Sequence, residues 1–326
     1  MRKLTYIEAI IEAMQEEMAR DESVYVIGED VDIKGGVWKE TVGLLEKFGP
    51  KRVRGTPISE AAFTGIATGS AMTGLRPILE IMYMPFCYVG MDQFLSQMAK
   101  LPAMSGGQIK LPITIRAQAG AGTREAAQHS QSQEAIFLHI PGFKVVMPAT
   151  VYDAKGLLKA AIRDDHPVMF IEDRNLYYEA EKVPEGEWIV PLCQADVARQ
   201  GKDVTVVTLG FPRRKALAAA KQLEGTVDVE VIDARSLQPL DMDAIGASVM
   251  KTGRLLVVHE APVRCGAGAE IVRRVVAEYF DYLDAEPRVL GGANVPLLFS
   301  PVLEDACLPQ VNTIVNAIHQ LMNTTL

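Results

Sequence analysis

Short apolar runs alternate with segments of helical period along most of this chain, and that alternation is what most narrows its fold. Thr5 and Glu8 stand at capping-box spacing, and Ile7, Ile10, Ile11, Met14 and Met18 then recur at helical spacing. Residues 24–27 read as a short buried strand ended by Gly28-Glu29-Asp30, and residues 31–55 as loop-rich. Helix 60–73, strand 76–82, a helix from about 90 to 102, strand 112–117, loop 118–128, helix 130–138 and strand 143–147 follow. Thr150 and Asp153 cap a helix over 153–163, and strand 167–172 closes the series. Strands separated by helices pair in parallel through βαβ crossovers, so the fold class is α/β. Ligands of such sheets lie beyond the carboxyl ends of the strands.

The pattern breaks at Pro184, Gly186 and Pro191, then resumes after Gln200-Gly201-Lys202-Asp203. Strand 204–209, helix 212–223, strand 229–232, helix 241–250, strand 255–259, helix 268–280, strand 288–290 and helix 309–322 are expected there. Two α/β domains of unequal size are therefore expected, at 1–185 and 203–326, with a connector at 186–202. A chain of 326 residues that is 48% hydrophobic and 23% charged can give each a sizeable core.

The formal net charge of −8 comes with no basic stripe, which argues against nucleic acid as a partner. No apolar run reaches the ~18 residues that cross a bilayer. Met1-Arg2-Lys3-Leu4-Thr5 leads into the first helix with no apolar signal core. Cys87, Cys193, Cys265 and Cys307 are far apart, with no C-x-x-C pair. A reducing, cytoplasmic setting fits them.

Two runs carry chemistry. Thr56-Pro57-Ile58-Ser59-Glu60 places a carboxylate where an extended segment turns into a helix. That helix is rich in glycine: Gly65, Gly69 and Gly74. Each glycine inside a helix costs roughly 1 kcal/mol relative to alanine. Such a face suits close approach by a cofactor or a subunit, and equally tight packing within one domain. Glu60 alone has a simpler reading, as complement to the helix dipole. The second run is Gly120-Ala121-Gly122-Thr123-Arg124-Glu125-Ala126-Ala127-Gln128-His129. It lets backbone approach a ligand with a histidine at its edge, although a lone histidine can simply hydrogen-bond within a loop. His139, His166, His259 and His319 have no spacing that suggests a metal site. No G-x-G-x-x-G follows a strand in the first βα unit, and G-x-x-x-x-G-K-[ST] and G-x-S-x-G are absent.

Over nearly its whole length the chain resembles the beta subunit of the thiamine-dependent decarboxylating component of 2-oxo acid dehydrogenase complexes. The resemblance is carried by Gly28-Glu29-Asp30-Val31, Gly35-Gly36-Val37, Thr56-Pro57-Ile58-Ser59-Glu60, Gly74-Leu75-Arg76-Pro77, Asp92-Gln93 and Ser105-Gly106-Gly107. It continues through His129-Ser130-Gln131-Ser132, Pro141-Gly142-Phe143-Lys144-Val145-Val146, Val231-Ile232-Asp233-Ala234-Arg235-Ser236-Leu237 and Thr252-Gly253-Arg254-Leu255. It implies a pyrimidine-binding thiamine diphosphate domain, a parallel sheet with helices on both faces, followed by a transketolase C-terminal-like α/β domain. It also implies an alpha2beta2 heterotetramer. Magnesium and the diphosphate would be held mainly by the alpha subunit, since this chain has no Gly-Asp-Gly.

By the same resemblance Glu60 is the glutamate that bonds N1′ of the aminopyrimidine, Phe86 stacks on that ring, and Ile58 and Met82 line it. His129 faces the reacting centre and handles protons on the substrate-derived intermediate or on lipoyl sulfur. Leu111, Ile113, Thr114, Ala161, Asp164 and His166 align with a structural potassium site in some relatives. The implied reaction is oxidative cleavage of pyruvate, a branched-chain 2-oxo acid or acetoin, with the acyl group passed to the lipoyl groups of an acyltransferase core. Residues 120–129 and Val263-Arg264-Cys265 are most similar to acetoin dehydrogenase beta subunits. His129-Ser130-Gln131-Ser132 and Gly266-Ala267-Gly268-Ala269-Glu270 are more similar to the pyruvate and branched-chain enzymes, and the resemblance leans to acetoin. Two other classes stand beside this reading: a non-catalytic two-domain assembly subunit, and an α/β oxidoreductase that binds a nicotinamide directly.

Overall fold

The structure, a computed structural model, describes residues 1–323, so the last three positions of the domain expected at 203–326 lie outside the described residues. Contacts divide the chain into two units: residues 1–119 with 136–192, and residues 120–135 with 193–326. The segment 186–202, expected as a connector, is thus shared between them. The loop from Gly120 also belongs with the second unit, although it follows a strand of the first.

The strands and helices run in the order β1 (Arg2–Thr5), α1 (Tyr6–Arg20), β2 (Val24–Glu29), α2 (Leu44–Phe48), β3 (Val53–Thr56), α3 (Glu60–Met72) and β4 (Arg76–Ile81). Then come α4 (Leu101–Met104), β5 (Thr114–Ala119), α5 (Ala126–His129), α6 (Glu134–His139), β6 (Lys144–Val146), α7 (Val151–Arg163), β7 (Val168–Asp173) and β8 (Ala180–Val183). In the first unit six strands lie in the order β6-β7-β5-β4-β2-β3, and every pairing among them is parallel. β2, β5 and β7 are buried at every residue, as expected of parallel strands covered on both faces. The capping box at Thr5 and Glu8 is formed, and Thr150 Oγ1 accepts from the Asp153 amide.

One face of this sheet is polar at its centre. Arg116 on β5 is fully buried and holds two carboxylates, Glu80 on β4 through Nη1 at 2.7 Å and Glu172 on β7 through Nε at 2.6 Å. Its Nη1 also lies 3.6 Å from Met14 Sδ of α1. Tyr177 donates to Glu172, and Gln118 donates to Glu80. Burial pushes Glu80 up to about 8 despite the guanidinium beside it. Burial thus favours the protonated form of Glu80, which eases the excess negative charge sealed under α1.

The second unit continues with β9 (Asp196–Arg199), β10 (Val204–Thr208), α8 (Pro212–Gln222), β11 (Val229–Asp233), β12 (Ser236–Gln238) and α9 (Met242–Thr252). β13 (Leu255–Pro262), α10 (Ala267–Tyr279), β14 (Arg288–Gly292), α11 (Pro301–Cys307) and α12 (Val311–Met322) complete it. Its sheet runs β14-β13-β10-β11-β9, parallel except for β9. Val204, Val206, Val229, Leu256, Ala216 and Ile318 meet in the core between this sheet and helices α8 and α12.

The differences from the sequence reading have local causes. The expected helix at 90–102 is a 3-10 turn over Met84–Gly90, a π-helical turn over Gln93–Met98, and α4. The helical run breaks at Ala99 and Lys100, just before Pro102, which has no amide to donate to a continuing helix. The expected helix at 130–138 begins only at Glu134, after the run Ser130-Gln131-Ser132-Gln133. β1, β3, β8 and β9 are short, largely polar strands with no apolar run to announce them.

Removing Arg116 would strand Glu172 as a buried charge, and breaking a buried pair from one side costs about 3–5 kcal/mol. Arg116→Met is expected to lower the denaturation midpoint by that free energy in urea unfolding. A loss under about 1 kcal/mol would mean that the cluster contributes nothing net.

Candidate functional site

The chain reaches Glu60 from the carboxyl end of edge strand β3, through Pro57, Ile58 and Ser59. Ser59 occupies the N-cap of α3 without a side-chain cap bond, and its carbonyl accepts from Ala62 at 2.9 Å and Phe63 at 3.1 Å. Glu60 is thus the first helical residue, where a carboxylate suits the dipole, yet it is only 6% exposed. The turn over Met84–Gly90 lies directly on this helix start. A Cβ on Gly90 would stand 3.2 Å from the Glu60 carbonyl oxygen, so glycine is what permits the approach. Cys87 in that turn is buried, and burial together with the Glu60 charge pushes its thiol up. Phe86 is half-buried with its ring 5.3 Å from that of Tyr83. Met82 is half-buried, and Ile58 is 83% exposed.

A second carboxylate completes this corner. Glu29, the last residue of β2, is pushed up to about 6, first by burial and then by the charges of Glu60 and Asp30. Two acids at the ends of neighbouring elements therefore share one electrostatic environment. In the sequence Glu29 was read as part of a strand-ending turn and of a matching family stretch, with no role of its own. A pocket of about 570 Å³ opens on the other side of the same turn, between Ile27, Arg54, Pro57, Ala62, Phe63 and Ile66. Glu60 does not line it. The glycine face of α3 splits between the two readings given it. A Cβ on Gly65 would lie 3.2 Å from Gln93 Oε1, which is close packing inside the unit, whereas nothing comes within 4 Å of one on Gly69.

His129 lies in the second unit. It ends the single turn of α5 and is half-buried. Two carboxylates of β13 and α11 reach its loop: Ala121 N donates to Glu260 at 3.2 Å, and Gly122 N donates to Glu304 at 3.0 Å. Beyond His129, Glu134 faces His259 with Oε1 3.8 Å from Nδ1, and both side chains are 1% exposed. Burial pushes Glu134 up to about 7 and His259 down to about 4, so the histidine is neutral and the glutamate is drawn toward its protonated form. Glycine shapes this corner as well, since a Cβ on Gly266 or Gly268 would come within 2.8 Å of the His259 ring. No local signal marked this pair, because Glu134 and His259 are 125 positions apart in the sequence.

The expected potassium residues gather where β5, α7 and β7 meet. Several of their carbonyl oxygens each accept a hydrogen bond: Ile113 O accepts from Val168 N at 2.9 Å, Ala161 O from Asp164 N at 3.2 Å, and Asp164 O from Arg76 Nη2 at 2.6 Å. The Asp164 carboxylate is ion-paired with Lys144 and lies 3.0 Å from His166 Nδ1. Leu111 O accepts from Ile113 N, and Thr114 begins β5.

Residues 2–179 match the family described as transketolase, pyrimidine binding domain, and residues 193–314 match transketolase, C-terminal domain. The chain is 46% identical over 320 residues to the pyruvate dehydrogenase E1 component subunit beta of Rickettsia felis (strain ATCC VR-1525 / URRWXCal2), covering 98% of each. It is equally 46% identical to the same subunit of Rhizobium meliloti (strain 1021), covering 98% of this chain and 70% of that one. It is 45% identical over 334 residues to the acetoin:2,6-dichlorophenolindophenol oxidoreductase subunit beta of Bacillus subtilis (strain 168), again covering 98% of each. A solved structure titled split gene transketolase, inactive beta4 tetramer, shares the fold, with a TM-score of 0.80 at 23% identity over 99% of both chains.

The Glu134–His259 pair makes a signed prediction about stability. Glu134, raised in the fold, contributes stability that is present below about pH 4.5 and lost as pH rises through about 7. His259, lowered in the fold, contributes stability that is present above about pH 6.5 and lost as pH falls through about 4. The two slopes oppose each other in the native protein. Glu134→Gln should leave the histidine slope alone, so that stability climbs from pH 4 to 6.5 by roughly 1–3 kcal/mol more than in the native chain. Urea unfolding across that range checks this, and an unchanged pH profile would contradict the burial of the pair.

Proposed function

The chain belongs to the transketolase-like family of dehydrogenase E1-component beta subunits, and from that premise we propose that it forms the pyrimidine-binding half of a thiamine diphosphate site. The enzyme it completes oxidatively cleaves a 2-oxo acid or acetoin and passes the acyl group to a lipoyl domain. The observation that carries this reading is Glu60. It is a buried carboxylate at a helix start, with the Phe86 turn packed on it and a second acid, Glu29, perturbed by its charge.

These residues fit an aminopyrimidine. A buried carboxyl can hold or release a proton at N1′, and Phe86 and Met82 are half-buried, so each leaves surface for a flat ring. Thiamine diphosphate, when bound, supplies the carbon nucleophile and the electron sink. Glu60 would set the protonation of the ring, Ile58 and Met82 would line it, and Phe86 would stack against it. His129 would exchange protons with the substrate-derived intermediate or the lipoyl sulfur, a task that suits an imidazole.

The alpha partner supplies the diphosphate and magnesium ligands, and the assembly is alpha2beta2. Ile58, Val89 and Ile66, at 83%, 61% and 53% exposed, give the first unit apolar side chains that a partner would cover. The lipoyl groups belong to an acyltransferase core. We place the enzyme in the cytoplasm. Among the described residues no helix is long and apolar enough to cross a membrane. A structural potassium ion at Leu111, Ile113, Thr114, Ala161, Asp164 and His166 would compete with Lys144 and Arg76 for the oxygens of Asp164. The backbone carbonyls among these residues each keep a second lone pair for a cation, and no step runs through the ion. Acetoin remains the favoured substrate on the strength of residues 120–129.

Glu60→Gln in the assembled enzyme tests the role of the carboxyl. The amide keeps the shape and removes the exchangeable proton, so kcat should fall by about 10²–10⁴ while assembly with alpha and thermal unfolding stay near native values. Turnover close to native would remove Glu60 from the mechanism.

A further inference from the structure

We propose that Glu260, Glu304 and Asp305 of the second unit are positioning residues for His129, acting through the backbone and Arg124 of the loop that carries it. The inference rests on the role given to His129 above. The loop is built from unfavourable backbone. Gly120, Gly122, Arg124 and Ala126 have φ of 96°, 99°, 63° and 58°, so four of seven consecutive residues are left-handed and two of them carry a Cβ. A non-glycine residue persists there only where its surroundings hold it.

The carboxylates are what hold it. Glu260, 7% exposed, accepts from Ala121 N at 3.2 Å. Glu304, fully buried, accepts from Gly122 N at 3.0 Å through Oε1 and from Arg124 Nη1 at 2.6 Å through Oε2. The Arg124 guanidinium also forks onto Asp305, with Nη1 to Oδ1 at 2.8 Å and Nη2 to Oδ2 at 3.1 Å. A carboxylate shut away from water needs charged or backbone donors, and both donors to Glu304 come from this one loop. Loop and carboxylate therefore stabilise each other. Two residues past Arg124 the chain enters the single helical turn that ends at His129. A shift at Arg124 is carried through that turn to the imidazole.

The arrangement assigns Arg124 a task that its sequence position alone did not show. Exposed arginine–carboxylate pairs contribute little to stability. Arg124 is one-third exposed and its fork onto Asp305 lies in water, but Glu304 is fully buried, so removing Arg124 should cost some stability as well as loosening the loop. The expected consequence is a loss in kcat beyond any fall in unfolding temperature, because misplacing a catalytic group by about 1 Å can cost about 10²-fold.

The test is a double-mutant cycle in the enzyme assembled with its alpha partner, using Arg124→Ala, His129→Ala and the double variant. Arg124→Ala should lower kcat by about ten- to a hundred-fold with KM little changed. It should also speed amide hydrogen exchange over residues 120–129. In the His129→Ala background the same change should cost nothing further. Arg124→Lys, which keeps one charged contact to Glu304, should recover part of kcat. Equal losses from Arg124→Ala in both backgrounds would make the loop a scaffold and overturn the inference, leaving the role of His129 in place. Full kcat in His129→Ala alone would remove that role, and this inference with it. If Arg124→Ala does not assemble, Glu304→Gln takes its place in the same cycle with the same readings.

Discussion

Arg116, sealed between Glu80 and Glu172, is the constraint on which the first unit turns. Its partners sit on the strands to either side of its own, so one guanidinium ties β4, β5 and β7 together. Leaving Arg116 or Glu172 unpartnered would bury a bare charge, and that makes the lateral arrangement of these strands specific as well as stable. The raised Glu80 belongs to the same logic, because burial favours its protonated form and so eases the crowding of a second carboxyl. The neighbouring strand β2 ends at Glu29, and edge strand β3 leads to Glu60. The chemistry therefore stands at the carboxyl end of a sheet whose centre is locked.

Acids held away from their usual protonation recur in both units. Glu29, Glu80 and Glu134 are all pushed upward, and burial is the first cause of each shift. Their tasks differ. Glu80 balances a structural guanidinium, Glu134 faces a neutral histidine, and Glu29 adjoins the acid assigned to the cofactor. The second unit adds a different device: buried carboxylates used as anchors for a left-handed loop.

Much of this was legible in the sequence where local chemistry is periodic or capped. The all-apolar strands, the Thr5–Glu8 capping box and the Thr150 cap were read directly, because burial and end-capping leave marks within a few residues. Edge strands β1, β3, β8 and β9 were not, since a short polar strand acquires its identity only from its neighbour. The helix expected at 90–102 breaks at Ala99 and Lys100, before Pro102, into a π-helical turn and α4. Among site residues, Glu60 and His129 stood out by their turns and by resemblance. Glu29, Glu134, His259, Glu260 and Glu304 did not, because each depends on a residue distant in the chain. No spacing rule connects Gly122 to Glu304.

The central claim is that this chain holds half of a catalytic site. The direct measurement is reduction of an artificial electron acceptor by this chain co-expressed with an alpha partner, with thiamine diphosphate and magnesium present. Pyruvate, a branched-chain 2-oxo acid and acetoin are compared, with each chain alone as control. The account predicts turnover from the pair only, with acetoin preferred. Turnover by this chain alone, or none from an assembled pair with any of the three substrates, would contradict it.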